Sequence, residues 1–308
     1  MSVMRNVLLA GSQSAWLRER ATRYRFVRRS VSRFMPGEKV EDALEATRQL
    51  GAASIGTILT RLGENIASAA EADDVREHYL QVLEKVRAGA LRTVISIKPT
   101  QLGLDIDEEM CFRNLRTLVE RAAALNNFVW IDMEGSPYVD RTLALYRRVR
   151  MASPAVGVCL QSYLYRSDKD LEALLPLGPS IRVVKGAYKE AADVAFPKKS
   201  DVDENFYKMS VRILAARQNG AFLGIGTHDA KLVERLRAYI SASNIPESAY
   251  EYEMLYGIQR PLQQQLASNG KPVRVLISYG EYWFPWYMRR LAERPANVVF
   301  VVKNMIGR

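Results

Sequence analysis

The chain has 308 residues, 48% hydrophobic and 25% charged, which is enough apolar material for one large core. Its apolar runs fall short of the roughly 18 residues that a membrane-spanning helix needs, and the short run Val7 to Ala10 lacks the layout of a secretory signal. Two cysteines, Cys111 and Cys159, exclude a disulfide framework, and Cys159 inside its apolar strand reads as a buried, reduced thiol in a cytoplasmic setting.

The charge is placed unevenly. Residues 1–40 hold nine Lys or Arg (Arg5, Arg18, Arg20, Arg23, Arg25, Arg28, Arg29, Arg33, Lys39) against Glu19 and Glu38, so this arm supplies +7 of the net +10. Such an arm suits an anionic membrane face or a nucleic acid. Its aromatics Trp16, Tyr24, Phe26 and Phe34, however, fall at helical spacing and read as packing residues, so no nucleic acid is expected. A solvated helical face is the favoured reading, with peripheral contact at the inner face of a membrane as the functional alternative. The chain is accordingly divided into a basic helical arm, 1–50, and a catalytic domain, 51–308.

Beyond the arm, apolar β-branched runs recur at Ser54–Thr60, Arg92–Lys98, Phe128–Glu134, Ala155–Gln161, Ile181–Lys185, Phe222–Gly226, Ala249–Leu255 and Val273–Ile277. The segments between them carry helical periodicity, most plainly Asp107–Asn126 with Asp107 as N-cap, Asp168–Leu175 and Ala230–Ser241. Lys189–Asp203 reads as a longer loop. Eight continuous apolar strands alternating with helices predict an α/β fold, a (β/α)8 barrel of the TIM type. An open doubly wound sheet usually has fewer strands, and neither G-x-G-x-x-G nor a P-loop occurs.

Chemistry in such a barrel belongs at the carboxyl ends of the strands. The predicted strands end on Lys98, Asp132 with Glu134, Gln161, Arg182 with Lys185, and Thr227-His228. Lys98 and Asp132, on neighbouring strands, are placed for an ion pair at the mouth. No metal is expected, because His78 lies in an acidic helical segment and His228 has no His or Cys companion. After the eighth strand, an aromatic segment leads to the adjacent Arg289 and Arg290, a pair suited to bidentate capture of a carboxylate or phosphate. Glu293 shares their helix face and can hold one guanidinium in place.

These residues resemble the proline dehydrogenase family, including the dehydrogenase domain of the proline utilization A proteins. The resemblance runs through Leu62-Gly-Glu64, Ile97-Lys98-Pro99, Ile131-Asp132-Met-Glu134, Leu160-Gln161-Ser-Tyr163, Arg182-Val-Val-Lys185-Gly-Ala-Tyr188, Thr227-His228, Met254-Leu-Tyr-Gly257 and Arg289-Arg290-Leu-Ala-Glu293-Arg294-Pro295. It implies a distorted (β/α)8 barrel with a carboxy-terminal helix over the mouth and with non-covalent FAD at the carboxyl face. It further implies oxidation of L-proline, or a related carboxylate-bearing secondary amine, and transfer of the electrons to a quinone or another acceptor. By motif match, Arg182 approaches the flavin N5 edge, while Gln161, Val184, Lys185, Gly186, Ala187, Thr227 and His228 hold the cofactor. Arg289 and Arg290 take the substrate carboxylate, Lys98 and Asp132 flank the amine, Tyr188 packs on the substrate ring, and Glu64 is a gate that pairs with Arg289.

The match is incomplete. Leu276 and Trp286 stand where pocket tyrosines are usual, and Val183 stands where leucine is common. Lineage drift and a retuned amino-acid or amine substrate both fit these changes. A non-redox aldolase or lyase, with Lys98 as a Schiff-base amine, is the competing class, and a vestigial barrel acting only in binding is a third.

Overall fold

Eight parallel strands close on themselves in chain order, β8 pairing with β1 from Gly56↔Arg274 to Arg61↔Tyr279. The computed structural model describes residues 31–63 and 66–293, the last five by backbone alone. The strands are β1 (Gly56–Arg61), β2 (Thr93–Ile97), β3 (Val129–Ile131), β4 (Val156–Gln161), β5 (Ser180–Val184), β6 (Phe222–Gly226), β7 (Tyr250–Leu255) and β8 (Val273–Tyr279). Helix α1 (Val40–Ala52) precedes them. Helices α2 (Ala69–Ala88), α3 (Glu108–Ala124), α4 (Val139–Arg150), α5 (Ser167–Leu174), α6 (Lys199–Ala215), α7 (Ala230–Ala242) and α8 (Arg260–Ser268) connect them, and α9 (Trp283–Glu293) follows.

The strands are buried almost throughout, as they must be with helices on one side and a filled interior on the other. The helices are amphipathic. In α3, Cys111, Leu115, Leu118, Val119 and Ala122 face the core, and the Asp107 carboxylate caps the first turn by accepting from the Met110 N–H at 2.8 Å.

Two boundaries differ from expectation. The expected strand Phe128–Glu134 is regular only over Val129–Ile131: the Asp132 N–H still donates to Ile97 at 2.8 Å, and the chain then turns at Ser136–Tyr138. The last five residues of the loop expected at Lys189–Asp203 are the first turn of α6, where Lys199 Nζ reaches Asp203 Oδ2 four residues on at 2.7 Å.

The barrel interior is layered. Ile58, Val94 and Trp130, with Phe128, Phe222 and Leu276, form an apolar plug in its lower part. Above it, toward the carboxyl ends, polar side chains take over, among them Thr60, Asp132, Cys159, Arg182, Glu253 and Ser278. This change of character is what turns a packed barrel into a pocket.

Helix α9 is held over that end by residues from the start of the described chain. Trp283, Phe284, Trp286 and Tyr287 pack with Val31, Met35 and Leu62, and the Trp283 indole N–H donates to Glu38 at 2.8 Å. The same segment runs against Gly257, whose φ is +77° and whose α-carbon would carry a β-carbon only 1.6 Å from the Arg33 carbonyl oxygen. Glycine there solves both the left-handed backbone and the close approach. His78 is structural: its Nε2 shares a hydrogen bond with the Tyr279 hydroxyl at 2.7 Å, and burial lowers its pKa to about 4.

Gly257→Ala is therefore expected to destabilise the protein by about 1–3 kcal/mol, the cost of overpacking a tight site. Chemical denaturation, with tryptophan fluorescence reporting Trp283 and Trp286, measures it; an unchanged midpoint would show that the segment at Arg33 does not clamp α9.

Candidate active site

A cavity of about 530 Å³ opens at the carboxyl ends of the strands, within the range of roughly 300–1,000 Å³ usual for small-molecule sites. Of the residues singled out from sequence, Lys98, Asp132, Gln161, Arg182, Val184, Lys185, Gly186, Ala187, Tyr188, Thr227, His228, Leu276 and Trp286 all line it. Barrel register explains the convergence. Inward positions recur at every second residue, so Asp132 beyond β3, Cys159 on β4 and Arg182 on β5 come to one level.

Arg182 is the centre of the floor. Its side chain is only 4% exposed. Its guanidinium lies over the Trp130 ring, 4.6 Å from the centroid. Nη1 donates to Asp132 Oδ1 at 3.0 Å, to Ser96 Oγ at 3.2 Å and to Cys159 Sγ at 3.4 Å, while Nε donates to Glu253 Oε2. Nη2 is buried without a partner. Burial pulls the arginine pKa down, but the neighbours Cys159, Glu253 and Asp132 outweigh it and hold the group above the usual arginine range. Burial also pushes the Cys159 thiol up to about 12, so it stays protonated.

The expected pair between Lys98 and Asp132 does not form. Asp132 is taken by Arg182 and by the Ser96 hydroxyl, which donates to Oδ1 at 2.7 Å. Among the described residues Lys98 makes no ion pair, although it lines the same cavity. The long, planar arginine crosses the barrel and satisfies the carboxylate from below. Glu134 lies beneath the rim, where it accepts from Thr100 N at 3.2 Å and Thr100 Oγ1 at 2.7 Å and so fixes the turn that follows Lys98.

Gln161 donates to the Met133 and Glu134 carbonyls at 3.2 and 3.1 Å, leaving its Oε1 buried and unpartnered. His228 Nε2 accepts from the Leu255 N–H at 2.7 Å, which puts the proton of the neutral ring on Nδ1. Lys185 bridges Asp203 at 2.5 Å and Asp229 at 2.8 Å, and Lys199 joins them, so four charges balance beside the cavity. Although burial opposes it, hydrogen bonds from Lys185 and Lys199 hold the Asp229 carboxyl well below the usual range.

Two expected parts lie partly or wholly outside the described residues. Glu64 is one of the undescribed pair 64–65, which follows Gly63, itself held by Gln101 Nε2 donating to its carbonyl at 2.6 Å. Arg289, Arg290 and Glu293 fall on α9, the helix that carries Trp286 into the cavity wall, with only their backbone described.

Glu253 was not singled out from sequence. It points inward from β7, is 4% exposed, and lines the cavity. Two carboxylates two residues apart, Glu251 and Glu253, inside an otherwise apolar strand were the available signal.

Comparison with known proteins places this barrel. A profile described as "Proline dehydrogenase" matches residues 43–303. The chain belongs to the proline dehydrogenase family. As a proline dehydrogenase family member it is an oxidoreductase. It is 35% identical over 304 residues to Proline dehydrogenase 1 of Bacillus subtilis (strain 168), covering 99% of each chain. It is 38% identical over 281 residues to Proline dehydrogenase of Deinococcus radiodurans, covering 90% of each. Among solved structures, proline utilization A from Bdellovibrio bacteriovorus, inactivated by N-propargylglycine, matches with a TM-score of 0.79 at 22% identity over 86% of this chain. That likeness is one of fold, and this chain spans 32% of that much longer protein.

Arg182→Met removes the only cation that touches both Asp132 and Glu253 among the described residues, and is expected to cost about 3–5 kcal/mol at neutral pH. The loss shrinks as pH falls and Glu253, whose carboxyl burial holds above the usual range, takes up a proton. Urea denaturation at neutral and mildly acidic pH reads it; a pH-independent loss would refute the charge argument.

Proposed function

We propose that this protein oxidises L-proline to 1-pyrroline-5-carboxylate, using FAD held at the carboxyl end of the barrel. The observation that carries this reading is a pair of atoms on residues that line one cavity, buried and without a hydrogen-bond partner among the described residues: the donor Arg182 Nη2 and the acceptor Gln161 Oε1. A flavin ring edge presents the complementary alternation of N–H, carbonyl oxygens and ring nitrogens, so these residues fit the group. The relatives named proline dehydrogenase, similar over nearly the whole chain, supply the substrate.

In this reading Arg182 and Gln161 face the ring edge, and Val184, Gly186 and Ala187 run alongside it. Gly186 has φ +121°, and a β-carbon there would meet the Tyr163 ring at 2.4 Å, so the exit from β5 has room only for a bare backbone. Lys185, Thr227 and His228 hold the polar tail. A flavin held by these residues would supply the two-electron acceptor for oxidation of the substrate carbon–nitrogen bond.

The remaining work belongs to the chain. Arg289 and Arg290 grip the substrate carboxylate, with Glu293 steadying them and Glu64 closing the site. Tyr188, Leu276 and Trp286 form the wall around the substrate ring. Lys98, which pairs with no carboxylate among the described residues, keeps an ammonium group beside the substrate nitrogen and so disfavours its protonated form. A neutral amine is required, because the nitrogen lone pair must form the new C=N bond as hydride departs; the remaining N–H proton then goes to water. Asp132, locked by Arg182 and Ser96, fixes the geometry of that corner. A quinone is the proposed electron acceptor, and the basic arm is the proposed peripheral membrane contact.

The purified protein should show flavin absorption that bleaches on anaerobic addition of L-proline, and L-proline should have the highest kcat/KM of a panel of cyclic and acyclic amino acids. Another amine in first place would assign Leu276 and Trp286 to a different substrate. A protein that stays colourless with added FAD would overturn the reading. Lys98→Met is expected to lower kcat/KM by about 100-fold and to move the acid limb of the pH profile upward, since loss of the nearby positive charge raises the substrate amine pKa.

A further inference from the structure

Glu253 has no place in the carboxylate grip or the amine corner, yet it lies in the floor beside Arg182 and is almost wholly buried. Room for it is made by β6, whose inward positions above Phe222 are both glycine: a β-carbon on Gly224 would come 2.5 Å from Glu253 Oε1 and 3.3 Å from the Arg182 α-carbon. No charged group therefore faces Glu253 from β6. From the other elements it is faced by Arg182 on β5, by Asp132 and Cys159 beyond it, by Glu251 on its own strand, and by Arg274, its register partner on β8. Arg274 is occupied by Glu251, through Nε to Oε2 at 2.8 Å.

The floor thus holds one guanidinium between two carboxyls. Nε and Nη1 are consumed, one on each side, and only Nη2 is left for a ligand. Glu253 determines which edge of the guanidinium is presented, because Asp132 alone would leave the group free to rotate about its Nη1 contact.

We propose that Glu253 is a positioning residue for the redox centre: it aims Arg182 Nη2 into the cavity and sets the charge of the pocket floor. The proposal rests on the flavin reading above. It makes this carboxyl a control on how readily the bound flavin takes electrons, since a negative floor opposes the extra electron density of the reduced ring.

The charge side has a signature that needs no cofactor. Burial, the largest cause, pushes the Glu253 carboxyl above the usual range, Glu251 adds to the rise, and Arg182 opposes it. A carboxyl with a raised pKa in the folded state contributes stability that is fully present below its unfolded pKa and lost as pH rises through the folded one. Glu253→Gln has no such loss, so the ratio of its folding constant to that of the wild type should rise by about tenfold or more from mildly acidic to mildly alkaline pH.

Three measurements test the proposal: folding stability against pH, the flavin midpoint potential, and kcat/KM. Glu253→Gln keeps an acceptor for Arg182 Nε and should retain kcat/KM within about tenfold, while its flavin potential moves positive at mildly alkaline pH, where the wild-type carboxyl is ionised. Glu253→Ala loses the aim of the guanidinium and should lose about 100-fold in kcat/KM. Parallel stability–pH curves together with an unmoved potential in Glu253→Gln would overturn the charge claim, and wild-type kcat/KM in Glu253→Ala would overturn the positioning claim. If the alanine variant fails to fold, a Glu253→Gln enzyme with both curves unmoved suffices to reject the proposal. Should the wild type bind no flavin, the proposed function fails, and the stability curves still decide whether Glu253 carries the floor's titrating charge.

Discussion

A guanidinium buried inside a barrel is the constraint around which the rest of this site is arranged. An arginine that loses water must regain hydrogen bonds and countercharge from its surroundings. Arg182 takes them from four directions: Ser96 on β2, Asp132 beyond β3, Cys159 on β4 and Glu253 on β7. Trp130 supports the group from one side as part of the apolar plug, so the polar layer rests on a dry one. Gly224 of β6 follows from the same constraint, because a side chain there would occupy the space of the Arg182–Glu253 pair. What would otherwise be an ordinary packed barrel is opened at one end by the needs of a single side chain.

Most of the architecture was legible in the sequence. Eight apolar runs lie within a few residues of the eight strands, and the Asp107 cap is where helical periodicity begins. The largest error of extent, at β3, has a physical origin. Asp132 to Glu134 continue an extended, partly apolar pattern, but regular pairing ends where side chains turn to the site. Helices α2, α4 and α6 carry many charges and stood out less than α3. The start of α6 was read as loop because Pro197, Lys198 and Lys199 stand together there, whereas Lys199 and Asp203 close its first turn.

The site was legible as a set of residues but not as a set of partnerships. Strand order brings Lys98 and Asp132 to adjacent positions, and adjacency suggested an ion pair. Side-chain reach decided otherwise. A guanidinium two strands away, on β5, is already desolvated and binds the carboxylate, while Lys98 makes no ion pair among the described residues. Glu253 escaped notice for a related reason. Strand-end residues draw attention because loops carry function, and Glu253 sits two residues inside a strand, where its partner is set by register with β6 and β8 and by the length of an arginine on β5.

The wall of the cavity is bound up with the clamp on α9. Trp286 lines the cavity and also belongs to the cluster in which Trp283, Phe284 and Tyr287 meet Val31, Met35 and Leu62. Leu276 lines the same cavity while completing the apolar plug with Ile58, Val94 and Trp130. Each position answers to two neighbours at once, one a cavity and the other a packed core. A phenol at either place would need a partner for its hydroxyl in surroundings that are apolar on the core side. The aliphatic Leu276 avoids that demand, and the ring of Trp286 is held in the cluster around Trp283 and Tyr287. On the proposed function, these two positions couple the capping of the barrel to the shape of the wall around the substrate ring.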